Sequence, residues 1–235
     1  MNNGLWREVI QAIEAAIPEY DRVNEKISFG RAMRAREYAA DRLKLKGGMI
    51  VLDAGIGPGT MSNVLLSRSS MLNVVGLDAS TRLLESARER FTRLGKGKVQ
   101  LIRGAFETLP LRDGSFDRIV SAYAFRDSRN KTVAIQEVHR VIKDKGTFAI
   151  VDLGKPDSRL KRALVTTYVG YLMPAVARLS MSNAIHGNPW RMIFPTYKLL
   201  EKNSKLVASL ASRFAEVAIK ETSLGGLVIV FARKA

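Results

Sequence analysis

Apolar residues return at Leu5, Trp6, Val9, Ile10, Ile13 and Ile17, a helical spacing that Pro18 brings to a close. A second amphipathic stretch runs from about Arg31 to Leu45 and stops at Gly47-Gly48, which reads as a C-cap. From there the period changes. Met49–Leu52, Asn73–Leu77, Val99–Ile102, Phe116–Ala122 and Thr147–Val151 are short apolar runs that read as buried strands. Helical stretches separate them, one starting at a Ser80 or Thr81 cap and closing at Gly95 and Gly97, another over Thr132–Ile142. Strands alternating with helices of this length predict a parallel sheet covered on both faces, an α/β fold. The alternation breaks at about Ser158–Leu210, which reads as helical, and Phe214–Lys220 and Leu227–Ala232 read as two final strands joined around Gly225-Gly226.

With 235 residues and 46% hydrophobic content, the chain can bury one substantial core. It contains no cysteine, which excludes disulfides, thiolate metal sites and a cysteine nucleophile. Its two histidines, His139 and His186, are too few for a histidine metal cage. A net charge of +16 suits an anionic partner (nucleic acid, a membrane face or an acidic metabolite) or simply a basic solvated surface. The N-terminus lacks the pattern of a secretory signal, and the uncharged run Ala163–Ala177 is too short to span a bilayer and contains Pro174. A cytoplasmic protein, at most peripheral to a membrane, is expected.

The chemistry gathers after the first strand, at Asp53-Ala54-Gly55-Ile56-Gly57-Pro58-Gly59. Glycines there permit a sharp turn and let a ligand approach the start of the next helix. A dinucleotide loop spaces its third glycine one residue later and presents the helix terminus to a pyrophosphate. The shorter spacing and the preceding acid favour a ligand with an ammonium group and no phosphate, which S-adenosylmethionine satisfies. Asp78 ends the second strand, where a carboxylate can hold both ribose hydroxyls.

These features, with Phe116–Val120 opening the fourth strand and Glu137–Lys143 preceding the fifth, resemble the class I S-adenosylmethionine-dependent methyltransferases across residues 47–153. The resemblance implies a Rossmann-like, seven-stranded, mostly parallel sheet with an antiparallel last strand. The cofactor set is then Asp53, Gly55, Gly57, Gly59 and Asp78, joined by Ala105, Phe106 and Ala122 near the adenosine. Ala105 stands where the superfamily commonly has an acid or amide, so adenine would be held by backbone groups and contact with Phe106. No metal is implied, and His139 reads as a packing or capping residue.

A narrower resemblance follows from Tyr20-Asp21-Arg22-Val23-Asn24, then Ser28-Phe29-Gly30. This is similar to the opening motif of the ubiquinone/menaquinone-biosynthesis C-methyltransferases. Tyr123-Ala124-Phe125-Arg126-Asp127, Arg140-Val141-Ile142-Lys143 and Asp152-Leu153-Gly154-Lys155-Pro156 align with later motifs, so the likeness covers residues 20–180. Departures are Ala32 and Ala35 for histidine and tryptophan, and Asp127 for asparagine. The resemblance implies C-methylation of a quinone-type or related lipophilic ring, with Tyr20, Arg126 and Asp127 as catalytic residues. Arg126 would steady a phenolate, Asp127 would orient water or take the ring proton, and Tyr20 would pack beside the sulfonium. Asp127 could instead cap the following helix, and His186 is an alternative base. Residues 1–46 would form a helical lid on the 47–235 methyltransferase domain, with 155–210 a helical cap whose apolar run lines the tail of the acceptor or rests on an anionic membrane. A homodimer is compatible with all of this. Three alternatives stay open: an RNA methyltransferase, disfavoured by the absence of an Asn/Asp-Pro-Pro motif; a methyltransferase of another small molecule; and a cofactor-binding module without activity.

Overall fold

The computed structural model describes residues 1–95, 99–182, 185 and 187–235. These form a seven-stranded sheet of β1 (Ile50–Ala54), β2 (Asn73–Asp78), β3 (Gln100–Arg103), β4 (Phe116–Ala122), β5 (Ile142–Leu153), β6 (Glu216–Thr222) and β7 (Leu227–Arg233), in the order β3-β2-β1-β4-β5-β7-β6. β1 to β5 are mutually parallel, and β7 runs antiparallel to both of its neighbours. The α/β expectation with an antiparallel last strand holds. The central strands are continuous apolar runs because both faces are covered; Val51, Leu52 and Ala54 have no solvent exposure.

On one face α3 (Arg31–Arg42), α4 (Thr60–Arg68) and α5 (Thr81–Arg93) pack through Ala39, Leu43, Leu65, Ala87 and Phe91. The other face is covered by α6 (Lys131–Val141), with Ile135, Val138 and Val141, and by the remaining apolar side of α10 (Asn203–Ala211) at Leu210. Strand order reverses between β1 and β4, which opens a crevice at the carboxyl ends of the strands. Over that crevice lie α1 (Asn3–Ala16) and α2 (Tyr20–Ser28), against α7 (Arg159–Thr167), α8 (Met173–Ser180) and α9 (Ile193–Leu199). Their own apolar cluster includes Val23, Ile27, Val169, Met173, Trp190 and Tyr197.

Several boundaries differ from the sequence reading. Pro18 does not release the chain from helix: a 3-10 turn, Ile17–Glu19, leads straight into α2, so the Tyr20–Ser28 motif is helical. Proline is tolerated there because the first turn has no N–H partner to lose. The second predicted helix ends at Arg42, with Lys44 in left-handed backbone (φ 49°), and Gly47-Gly48 lies beyond its cap. α6 runs directly into β5, which begins at Ile142, not at Thr147, with Ile142 opposite Phe116. Phe214 belongs to the core, not to β6; it packs on Phe148 and, edge-on at 5.3 Å, on His139. His139 is therefore a packing residue, and burial lowers its pKa. Ser80 accepts from the Leu83 N–H and is the cap of α5. Gly97 and His186 lie outside the described residues.

Pro174 does not break its helix either. α7 continues through a π turn, Tyr168–Leu172, into α8, and the wider turn accommodates the missing N–H of the proline.

Candidate active site

The glycine loop leaves β1 and turns back over the end of β2. Gly55 and Ile56 donate to the Leu77 carbonyl at 2.7 and 3.0 Å. Gly55 has φ 77°, and a Cβ on it would sit 2.2 Å from the Ala124 methyl, so only glycine fits. Gly59 has φ 88° and presses against the Phe91 ring. Asp78 braces the loop from below, accepting from the Gly57 N–H at 2.9 Å and the Ser80 N–H at 3.0 Å. Burial raises its pKa against those donors.

The result is a cleft of about 850 Å³. Gly55, Gly57, Asp78, Ala105, Phe106 and Ala122 are in its wall. Gly59 and Asp53 are not. Gly59 starts α4 behind the loop, and Asp53 is fully buried beneath it, with one carboxylate oxygen accepting from the Ser62 hydroxyl at 2.7 Å and the other unpartnered among the described residues. Burial pushes the Asp53 carboxyl up to about 6, although Ser62 and Arg36 act in the other direction. Ala105 offers no acceptor side chain, as expected. Glu107 reaches the same wall, but its carboxylate accepts from the Arg129 and Asn130 backbone N–H groups.

A second cavity, about 770 Å³, lies on the other side of Tyr20. Its walls are mainly apolar: Val9 and Ile13 of α1, Ile27 of α2, and Met173, Trp190 and Ile193 from the segment after β5. Val9, Ile13, Tyr20, Arg36 and Tyr123 border both cavities, so the two meet there. Arg126 faces the apolar chamber and Asp127 the glycine-loop cleft.

Tyr20 and the consecutive pair Arg126-Asp127, distant from it in sequence, are thus brought to one junction. Arg126 and Asp127 form a 3-10 turn after β4. The Arg126 guanidinium donates to Asp152 at 3.0 Å and to the Tyr123 carbonyl at 2.8 Å, and pairs with Asp127 at 3.3 Å. Burial opposes its charge, but Asp127 and Asp152 outweigh that and raise its pKa. Asp127 does not cap α6: Asn130 does, accepting from Val133 N–H. Instead Asp127 is buried, and desolvation lifts its carboxyl to about 6 even beside Arg126. Tyr20 is half-buried, and desolvation raises its hydroxyl pKa against the fields of Arg36 and Arg126.

Arg36 is a functional candidate that the sequence reading passed over. It is 4% exposed, its guanidinium stacks on the Tyr123 ring at 4.6 Å, and it forms no salt bridge among the described residues. Its only sequence signal is its place in the amphipathic stretch from Arg31 to Leu45, which also carries Arg31, Arg34 and Arg42. Asp152 was likewise visible only as a motif letter; here it fixes Arg126 through both the side chain and the backbone N–H. Arg140, by contrast, staples Glu137, Asp113 and two loop carbonyls far from the junction.

Comparison with known proteins agrees with this geometry. The model of the ubiE/COQ5 methyltransferase family matches residues 5–190. The chain belongs to the ubiE/COQ5 methyltransferase family. It is 31% identical over 176 residues to the demethylmenaquinone methyltransferase of Paenarthrobacter aurescens, covering 75% of this chain and 67% of that one. It is 29% identical over 169 residues to the ubiquinone/menaquinone biosynthesis C-methyltransferase UbiE of Syntrophotalea carbinolica, covering 72% and 71%. A SAM-dependent methyltransferase from Aquifex aeolicus has the same fold, with a TM-score of 0.59 at 20% identity over 85% of this chain and 89% of that one. As a member of the family, the protein is an S-adenosylmethionine-dependent methyltransferase acting on a small lipophilic molecule.

Proposed function

We propose that this methyltransferase transfers a methyl group to a ring carbon of a prenylated quinol of the demethylmenaquinone type. One observation carries the reading: a glycine-loop cleft and an apolar chamber open onto each other across Tyr20, Arg36 and Tyr123, with the Arg126–Asp127 pair at the seam.

The residues of the cleft fit S-adenosylmethionine. A zwitterionic amino-acid end needs a cation and an anion. Arg36, in the wall and without a salt bridge among the described residues, supplies the cation, and Asp53, under the loop with one carboxylate oxygen unpartnered among the described residues, supplies negative charge beneath it. Asp78 has lone pairs beyond those taken by Gly57 and Ser80, enough to accept from two ribose hydroxyls. Phe106, Ala105 and Ala122 supply the flat apolar wall for adenine. When bound, the cofactor supplies an electrophilic methyl group on a sulfonium.

Ring-carbon methylation forms a carbon–carbon bond, breaks the sulfur–methyl bond and releases one proton in all: the quinol hydroxyl gives up its proton before attack, the ring carbon gives up its proton afterwards to restore the aromatic ring, and a proton returns to the hydroxyl oxygen. Arg36 and Arg126 place positive charge at the seam, where a phenolate would form. Asp127, lifted to about 6 and still ionised at neutral pH, is the base. Arg126 holds it in place and is held in turn by Asp152. Tyr20 closes the seam against water. Most of the acceleration comes from holding donor and acceptor in line, for which two abutting cavities are well suited.

The deciding experiment incubates the purified protein with S-adenosylmethionine and reduced demethylmenaquinone carrying a short prenyl chain, and follows products by mass spectrometry. A singly ring-methylated product is expected. Tight S-adenosylhomocysteine binding without any such product would overturn the acceptor assignment. Peripheral membrane contact is part of this proposal, since the acceptor of such an enzyme resides in a bilayer.

A further inference from the structure

The apolar chamber has an extension that the chemistry above does not use. A groove of about 900 Å³ begins at Ile27, Tyr123, Leu153 and Met173, which also line the chamber. It runs outward between α7, the π turn and the Ser223–Gly225 turn, along Val165, Tyr168, Val169 and Leu227. Its outer rim is apolar and in solvent. Leu164 and Leu224 both line it and are about half exposed, and Phe29, as exposed, lies with its ring 6.5 Å from that of Tyr168. Phe29 and Leu224 are held outward on left-handed backbone, φ 51° and 62°.

From that rim the helix Arg159–Ser180 carries a row of large exposed apolar side chains. Leu160 is 72% exposed, Tyr171 75% and Leu179 88%, with Leu164 and Leu172 between them. Successive members lie four, seven, one and seven residues apart, and all are exposed on the outer side of the helix, the π turn included. The inner side of the same helix is fully used by Val165, Val169, Met173 and Ala177. A surface row of this kind marks an interaction site.

Charge says what kind. No aspartate or glutamate falls between Asp157 and Glu201, while Arg159, Lys161, Arg162, Arg178, Arg191 and Lys198 do. The apolar row is thus bracketed by cations without an anion in that stretch of chain. An anionic lipid surface complements both properties at once, apolar side chains entering the acyl boundary and arginines meeting headgroups. A helix lying on the surface is the fitting geometry, since no helix of the described residues is long and apolar enough to cross a membrane.

We propose that the face formed by Arg159–Ser180, with Phe29 and Leu224, docks on an anionic bilayer and that the groove beside it passes the prenyl tail of the acceptor from the bilayer to the chamber. The proposal rests on the lipid-quinol reading above and adds where the lipid is met and by which route it enters.

Co-sedimentation with phosphatidylglycerol/phosphatidylcholine vesicles tests it. The variant is Leu160→Ser/Tyr171→Ser/Leu179→Ser, which alters only residues outside both cavities and the groove. The wild type should bind these vesicles, bind pure phosphatidylcholine far more weakly, and lose affinity as salt rises. The triple variant should bind on the order of 100-fold more weakly. It should keep S-adenosylhomocysteine affinity and turnover of a tail-less quinol, while methylation of a long-chain acceptor in vesicles collapses. Equal vesicle binding by both proteins would overturn the proposal. So would a wild-type dimer in sedimentation equilibrium that the triple variant cannot form, coupled with no vesicle binding, because the row would then belong to a second copy. Vesicle binding lost in the variant, but no turnover of any quinol by the wild type, would uphold the docking face and remove the quinol assignment alone.

Discussion

The two cavities that meet at Tyr20 are built by opposite means. The floor of the cleft over β1 and β2 is backbone, left-handed glycines with N–H groups donated to Leu77 and Asp78, and side chains of α1, of Ala105-Phe106 and of the end of β4 complete its wall. The chamber beyond is made of side chains alone, brought by α1, α2, α3, the turn after β4 and the helices after β5. A backbone cradle tolerates little change and suits a ligand that never changes. A wall of packed side chains can be altered residue by residue, as Ala32 in the chamber wall already shows against the family motif, and suits an acceptor that differs between relatives.

The largest effect should come from the seam between them. Replacing Asp127 with Ala removes the proposed base and is expected to lower kcat by about 10²–10³-fold while S-adenosylhomocysteine affinity stays within a few-fold. The pH profile sharpens this. Asp127 must be ionised to act, so wild-type turnover should rise with pH through about 6. Asp127→Asn should lose that acidic limb. A limb that persists in the Asn variant would assign it to another group.

In the cleft the effects fall on binding. Asp78→Ala removes an acceptor for the ribose and the brace under Gly57, and calorimetry should register roughly 1.5–3 kcal/mol of lost cofactor affinity. Unchanged affinity would separate Asp78 from the ligand. Asp53 should behave differently, because burial raises its carboxyl pKa from 3.8 to about 6. Its proton is bound more tightly in the folded than in the unfolded chain. That contribution to stability is complete below about pH 4 and is lost as pH rises through about 6. Asp53→Asn should therefore flatten this part of the pH–stability curve and stabilise the ligand-free protein at pH 7 by on the order of 2 kcal/mol. Asp127 and Asp78, raised in the same direction, add to the remaining slope, and Asp117 and Glu137, lowered, oppose it. Urea titrations between pH 4 and 7 provide the measurement, and a variant less stable than wild type at pH 7 would contradict it.

How much of this the residues announced follows from the same division. Gly55, Gly57 and Asp78 were legible because a local turn dictates both their type and their spacing, and they stand in the cleft wall as expected. Asp53 was legible as a position but not in its surroundings. Nothing local says that it lies under the loop on Ser62 and not in the wall. Arg36 could not be picked from a stretch containing Arg31, Arg34 and Arg42, since what distinguishes it is burial on Tyr123, which comes from a distant strand end. The helical state of Tyr20–Ser28 was missed because Pro18 reads as a stop, whereas the chain uses it to begin a 3-10 turn. Position Asp127 permitted two readings, a cap or a base, and Asn130 resolves the first by taking the cap.

The smallest effect concerns how the two cavities are kept closed. Trp6, Val9, Ile10 and Ile13 of α1 form part of the cleft wall, so a ligand leaving past them must displace α1 and with it α2. That pair of helices is tied to the sheet domain by few polar contacts. Asp21 accepts from the Thr60 hydroxyl at 2.6 Å and pairs with Arg90 at 2.5 Å, Glu14 accepts from Ser80, and the terminal amino group donates to the Arg129 carbonyl. Asp21 is 40% exposed, so its ion pair is screened and contributes no more than about 0.5–1 kcal/mol. Removing it in Asp21→Ala should lower the cost of opening by that amount and speed S-adenosylhomocysteine release by roughly 2–5-fold, with kcat unchanged or slightly higher. Stopped-flow displacement would detect this. Release at the wild-type rate would mean that product leaves without moving α1 and α2, through the wall on the Glu107 side, and that the helical cover serves the acceptor chamber alone.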